Sequence, residues 1–167
     1  QLTQKSSKPK FRDVLVESDI SMFLPETYID DENTRLEIYQ RLSKVTSQDE
    51  LNEIRLELED RFGKLTDEVT SLLQHIEIKL ILSPIGFEKI VISGEQLELF
   101  FDLNNEAIFT SGYFEKVLGV INEHFKNTSR VKQSKSSLSV LFRIPQQPTH
   151  AERLAEIHNF VGKLANL

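Results

Sequence analysis

The chain contains no cysteine, and its six glycines are scattered singly through 167 residues. The first absence excludes disulfides, thiolate metal sites and cysteine nucleophiles, and accords with a reducing cytoplasm. The glycines stand at 63, 86, 94, 112, 119 and 162, so no phosphate-cradling glycine loop exists. No apolar run approaches the ~20 residues of a membrane span, and no secretory n-region and h-region open the chain. The four histidines, at 75, 124, 150 and 158, lack the paired spacing of metal ligands. Ser136 and Ser137 fall in a turn with no adjacent base. Carboxylate pairs abound, but on helix faces turned to water, where nothing raises a pKa for acid–base work. The expectation is a non-enzymatic domain with no catalytic residues, bound metal or cofactor.

What is present is ordinary for a globular protein: 39% hydrophobic and 28% charged residues, long enough for one buried core. The first residue is Gln1 rather than methionine, so the chain is expected to be a piece of a longer protein. Its net charge of −6 is unevenly spread. Residues 1–84 hold 17 acidic against 11 basic side chains, whereas residues 85–167 hold 9 of each. That balance disfavours general affinity for phosphate backbones and favours a partner with a basic surface. Membrane association is not expected, and a soluble acidic domain is expected to be a monomer.

Residues 1–12 are polar and basic and read as a linker, leaving 13–167 as a single domain. Val14–Val16 predicts a short strand, ended by Pro25 after the segment that follows. Three helices come next. Residues 32–44 carry Leu36, Tyr39 and Leu42 at three-residue steps. Residues 48–62 begin at Ser47 with Glu50 three positions on, a capping box, and stop at Gly63 in a left-handed turn. Residues 67–83 follow Thr66 as N-cap, bury Val69, Leu72, Leu73, Ile76 and Leu80, and end at Pro84 and Gly86.

The second half changes period. Phe87–Ile92 and Leu97–Phe101 flank a hairpin turn at 93–96. A helix after Ser111 carries Phe114, Val117, Leu118, Ile121 and Phe125. Arg130–Gln133 and Leu138–Ile144 form a second hairpin, with Leu138, Val140, Phe142 and Ile144 facing inward. Thr149 and Glu152 cap a last helix with Leu154, Ile157, Val161 and Leu164 on one side. The fold class is therefore α+β. An N-terminal three-helix segment packs with a mainly antiparallel sheet of two hairpins and two further helices.

Two surface features carry charge in a pattern. On the second helix Leu51, Ile54, Leu58 and Phe62 make one apolar stripe. Asp49, Glu50, Glu53, Glu57 and Asp60 span about 100° of the opposite face, with Leu56 at their flank. The like-charge neighbours 49/53, 50/53, 53/57 and 57/60 cost about 1–2 kcal/mol in sum. The helix N-terminus offsets part of this for Asp49 and Glu50, and Glu57 pairs favourably with Arg61. Charge alone reads as a solvated face; an exposed Leu56 beside it reads as a docking surface, since interfaces mix apolar contact with complementary charge. The second feature is the basic hairpin of Lys126, Arg130, Lys132 and Lys135. Without an interleaved aromatic for base stacking, it reads first as a charged edge strand guarded against pairing, and second as a nucleic-acid-binding module.

The run from Leu24 to Ile29, then Asp31–Leu36 and Tyr39–Leu42, resembles the start of the C-terminal domain of bacterial transcription-repair coupling factor. So do Glu57–Leu65 and Ile78–Leu80, and the likeness is strongest over residues 14–92. Thr66 stands where the family often has proline, and still caps a helix. The resemblance implies a parent that is an ATP- and Mg-dependent DNA translocase of the bacterial cytoplasm. That parent displaces stalled RNA polymerase and recruits nucleotide excision repair through UvrA. It further implies that this domain lacks the motor and instead masks the parent's UvrA-binding module, using the carboxylates at Glu57 and Asp60.

Overall fold

The computed structural model describes residues 13–125, 129–145 and 147–167, so the linker reading of residues 1–12 lies outside the described residues. Chain order is β1 (Leu15–Ser18), α1 (Glu32–Ser43), α2 (Gln48–Phe62), α3 (Asp67–Leu82), β2 (Phe87–Ser93) and β3 (Gln96–Phe101). There follow α4 (Ala107–Thr110), α5 (Tyr113–His124), β4 (Arg130–Gln133), β5 (Leu138–Arg143) and α6 (His150–Ala165). The strands form one mixed sheet in the order β1-β2-β3-β5-β4. Only β1 and β2 are parallel, and three helices intervene between them, as a parallel pair requires a long crossover. The α+β expectation and both hairpins are found.

Two hydrophobic cores are stacked along α3. The helical core holds Ile38 and Leu42 of α1, Leu51, Ile54 and Leu58 of α2, and Val69, Leu72, Leu73 and Ile76 of α3. The sheet core takes the last turns of α3 through Ile78 and Leu82, and closes one sheet face with α5 and α6. Phe125, Phe142 and Phe160 form a triangle of rings there, 4.8 to 5.1 Å apart. Edge-on and tilted contacts of this kind add to the area they bury. Tyr113 is pinned to α6 by donating its hydroxyl to the Leu164 carbonyl at 2.9 Å, and burial pushes its pKa up to about 12.

Several local expectations are corrected. The buried row of α1 is Ile38 and Leu42, four residues apart, while Leu36 is 53% exposed. A row at uniform three-residue steps drifts off a 3.6-residue helix, and Ile38 replaces Leu36 on the inner face. The Ser47 hydroxyl does accept from the Glu50 N–H. The Glu50 carboxylate, however, returns to the Thr46 N–H at 2.8 Å rather than to Ser47, so the box is displaced by one residue. The box at Thr149 and Glu152 is complete. The helix expected after Ser111 is found as α5, which begins at Tyr113 with Gly112 as its cap at φ +75°. The short α4 carries no apolar repeat long enough to signal a helix; it seats Ile108 in the sheet core beside Gly86. A Cβ at Gly86 would collide with the side chains of Ile108 and Asn105.

Among the described residues no helix is long and apolar enough to cross a membrane.

Candidate functional site

The acidic face of α2 is built by its buried one. Leu51 and Leu58 are wholly buried and Ile54 nearly so, which fixes the rotation of the helix and turns Asp49, Glu50, Glu53 and Asp60 outward. Leu56 is 65% exposed, the highest value among the large hydrophobics of the described residues. Asp49, Glu53 and Asp60 make no ion pair among the described residues.

Glu57 differs from its neighbours. Its Oε2 meets Arg41 of α1 at 2.7 Å and its Oε1 meets Arg61 one turn on at 2.8 Å. Both oxygens of this half-buried carboxylate are thus held by guanidinium groups. The Arg41 bond, followed by that of Arg61, pulls the Glu57 carboxyl down to about 2. The pairing with Arg61 follows from i,i+4 spacing and was legible. The pairing with Arg41 joins two helices and has no local signature.

Because the folded-state pKa lies below the ordinary 4.5, the stabilisation is complete above that value and fades as pH falls from about 4.5 towards 2. About one third of the Glu57 side chain is exposed, so solvent screening reduces the contribution to about 1 kcal/mol. Glu57→Gln is therefore expected to lower the thermal midpoint at pH 7 but to be neutral at pH 2, checked by melting curves at both pH values. A loss of equal size at pH 2 would mean that packing, not charge, is responsible.

A groove of about 290 Å³ runs between the end of α1 and the start of α2. It is lined by the buried Val45 and Ile54, the cations Arg41 and Lys44, and the carboxylates Glu50 and Glu53. Such a lining suits a long basic side chain, its methylene stem against Val45 and Ile54 and its head on the carboxylates.

The far end of α2 is anchored too. The Tyr28 hydroxyl lies 3.0 Å from the Leu58 carbonyl and 2.9 Å from that of Gly63, shared between the two acceptors. Burial, then the nearby Glu59 charge, raises the Tyr28 pKa. Gly63 ends the helix as expected but at φ +85° and ψ −163°, which is not the ordinary left-handed stop. That region is essentially reserved for glycine. Since no atom lies within 4 Å of where a Cβ would stand, Gly63→Ala tests backbone strain alone. The expected loss is about 2 kcal/mol, read as a lowered urea midpoint with an unchanged slope.

Of the basic hairpin, Lys126 lies outside the described residues. Arg130 and Lys132 share the sheet face turned away from the core, and Lys135 is exposed in the turn between β4 and β5. Cations on that face are largely neutralised within the chain. Lys132 pairs with Glu98 at 3.3 Å, Lys89 with Glu17 at 3.0 Å, and Arg143 with Glu95 at 2.6 Å. Phe100 is on the same face, an aromatic that the hairpin sequence alone does not show, and Lys89 lies 5.1 Å over its ring. Neutralised cations interleaved with carboxylates make a poor phosphate track.

A polar cluster at the junction of α2, α3 and α6 was missed in the sequence. Glu77 accepts from Arg55 at 2.5 Å and from Gln48, and faces His158 Nε2 at 3.2 Å. The three partners come from two other helices, and only the tertiary packing brings them together. Among the described residues no group of three His, Asp or Glu side chains could hold a metal ion.

Comparison with known proteins decides the family. The model of the TRCF domain matches residues 18–111, more than half of the chain. The chain belongs to the TRCF domain family. It is 33% identical over 150 residues to the transcription-repair-coupling factor of Staphylococcus epidermidis, a match covering 83% of this chain and 13% of that protein. It is also 37% identical over 75 residues to that of Escherichia coli, covering 45% of the chain and 6% of the relative. This TRCF domain thus spans a small part of the length of the relatives it matches. A crystal structure of the C-terminal domain of transcription-repair coupling factor superposes with a TM-score of 0.75, covering 93% of each chain at 23% identity. That likeness establishes a shared fold across β4, β5 and α6, which lie beyond the segment the family model matches.

Proposed function

We propose that this TRCF domain is a regulatory interaction domain, which docks through the acidic face of α2 onto a basic surface of its parent protein. The observation that carries the reading is the exposed Leu56 set beside Asp49, Glu53 and Asp60, carboxylates that make no ion pair among the described residues. A solvated face gains nothing from an exposed leucine, whereas a docking face gains apolar contact at the flank of its charge. In a transcription-repair coupling factor the surface covered would be the UvrA-binding module, held masked until RNA polymerase is engaged. ATP, Mg and the translocase activity then belong to other parts of the parent.

Within this reading the roles divide. Glu53 and Asp60 have free carboxylates for a partner's arginine or lysine. Asp49 and Glu50 extend the negative field, and Glu50 also helps form the groove. Glu57 contributes with its arginines attached, so a partner cation must share its oxygens with Arg41 and Arg61. The test is charge reversal at Glu53 and Asp60 in the whole parent, read by capture of UvrA and by DNA-stimulated ATP hydrolysis. Both should rise; unchanged capture by a stably folded double variant refutes the masking role.

A further inference from the structure

Among the described residues the sheet ends at β4, whose four residues are all exposed. Its main-chain groups divide by parity. Pairing runs from Arg130↔Leu141 to Gln133↔Leu138, and one step on the Ser134 N–H donates to the Ser137 carbonyl at 2.9 Å. Antiparallel ladders alternate hydrogen-bonded with open pairs, so Arg130 and Lys132 bond across to β5. The N–H and C=O of Val131 and Gln133 point the other way, off the free edge.

An edge strand is ordinarily guarded by lysine, bulge or proline. Here β4 has neither bulge nor proline, and its one lysine is drawn back over the sheet to Glu98. Val131 lies on the core side, opposite Val140, yet remains 45% exposed. The core layer therefore stops one strand short of covering it. On the other side Arg130 makes no ion pair among the described residues.

We propose that the free edge of β4 takes an extended segment of a partner protein, alternating apolar and acidic residues, as a sixth strand of the sheet. Such a strand would pair with the outward groups of Val131 and Gln133. Its apolar side chains would lie beside Val131 and a carboxylate beside Arg130, the cation of β4 that has no ion pair among the described residues. Charge decides between occupants. A second copy paired through the same outward groups would bring two Arg130 and two Lys132 onto one face against only two Glu98 carboxylates, an excess of positive charge that cross-strand repulsion disfavours. Residues 1–12 of the chain carry four basic and no acidic side chains, and meet the same objection. This inference does not rest on the docking role of α2.

The test uses the 167-residue chain and a blocked peptide alternating glutamate with valine. A lysine–valine peptide and a single-stranded oligonucleotide serve as competitors. At saturation, amide exchange at Val131 and Gln133 should slow about tenfold or more, as it does when an edge becomes a centre. Val131→Pro removes one outward donor and no ladder bond, and should weaken binding about tenfold. Arg130→Glu with Lys132→Glu should shift preference to the lysine peptide without touching the edge backbone. The proposal is overturned if millimolar acidic peptide leaves both amides unprotected, or if the lysine peptide binds equally well. It is also overturned if the oligonucleotide binds more tightly than the acidic peptide.

Discussion

Capture of UvrA by the whole parent protein should rise about tenfold or more when Glu53 and Asp60 are both replaced by lysine. A domain tethered to its partner meets it at an effective concentration of ~1 mM, so an intrinsic Kd of ~50 μM leaves about 95% of molecules closed. Reversing two interfacial charges opposite basic residues costs about 3 kcal/mol, roughly a hundredfold in affinity. The closed fraction then falls to about 17%, and the open fraction rises more than tenfold. Both side chains are exposed and neither is ion-paired among the described residues, so the thermal midpoint of the isolated domain should hold or rise as like-charge repulsion on α2 is relieved. Glu57 is the worse first choice. Its loss would loosen the Arg41 link between α1 and α2 while altering the docking face, mixing two effects in one measurement. Unchanged capture with an unchanged midpoint would leave the acidic face as a solvated one.

The contrast between Glu57 and Asp60 shows what a sequence can and cannot carry. Helix periodicity placed Leu51, Ile54 and Leu58 inside and the ladder outside, because burial of one face sets the rotation of the whole helix. It also gave the Arg61 partner, since residues four apart are neighbours on any helix. Arg41 could not be reached that way. Its position opposite Glu57 depends on how α1 crosses α2, and that depends on Tyr28, Tyr39 and Arg35 tying the preceding loop to both helices. Leu24 N–H donates to the Tyr39 hydroxyl at 2.7 Å, and Arg35 donates to the Ile29 carbonyl at 2.6 Å. Strand order behaves likewise. Both hairpins were legible from alternation, but that β5 rather than β4 joins β3 is a consequence of which strand carries Val140 and Phe142 into the core. β4, with polar residues at three of four positions, is left at the edge.

A fragment limited to residues 18–111, the part the TRCF family model matches, should not form the sheet. Thirteen of the 23 residues of the sheet core lie outside it, among them Val14, Val140, Phe142, Leu154 and Phe160. At about 1.5 kcal/mol or more for each buried side chain, their loss exceeds the ~5–15 kcal/mol by which an ordinary domain is stable. The fragment would also cut into β1 and remove β5, leaving the β2–β3 hairpin without a neighbouring strand on either side. The helical core is different, since every one of its buried residues lies between Leu24 and Ile76. The expected outcome is helical circular dichroism with amide protection confined to α1–α3, and rapid exchange at Ile90, Ile92, Leu97 and Leu99. Protected amides in β2 and β3 of the fragment would overturn this, and would mean that α3 and α4 cover enough of the sheet to hold it. The bridging helix makes the outcome informative. Ile78 and Leu82 belong to the lost core and Val69 and Leu73 to the kept one, so protection should fall along α3 from its first turns to its last.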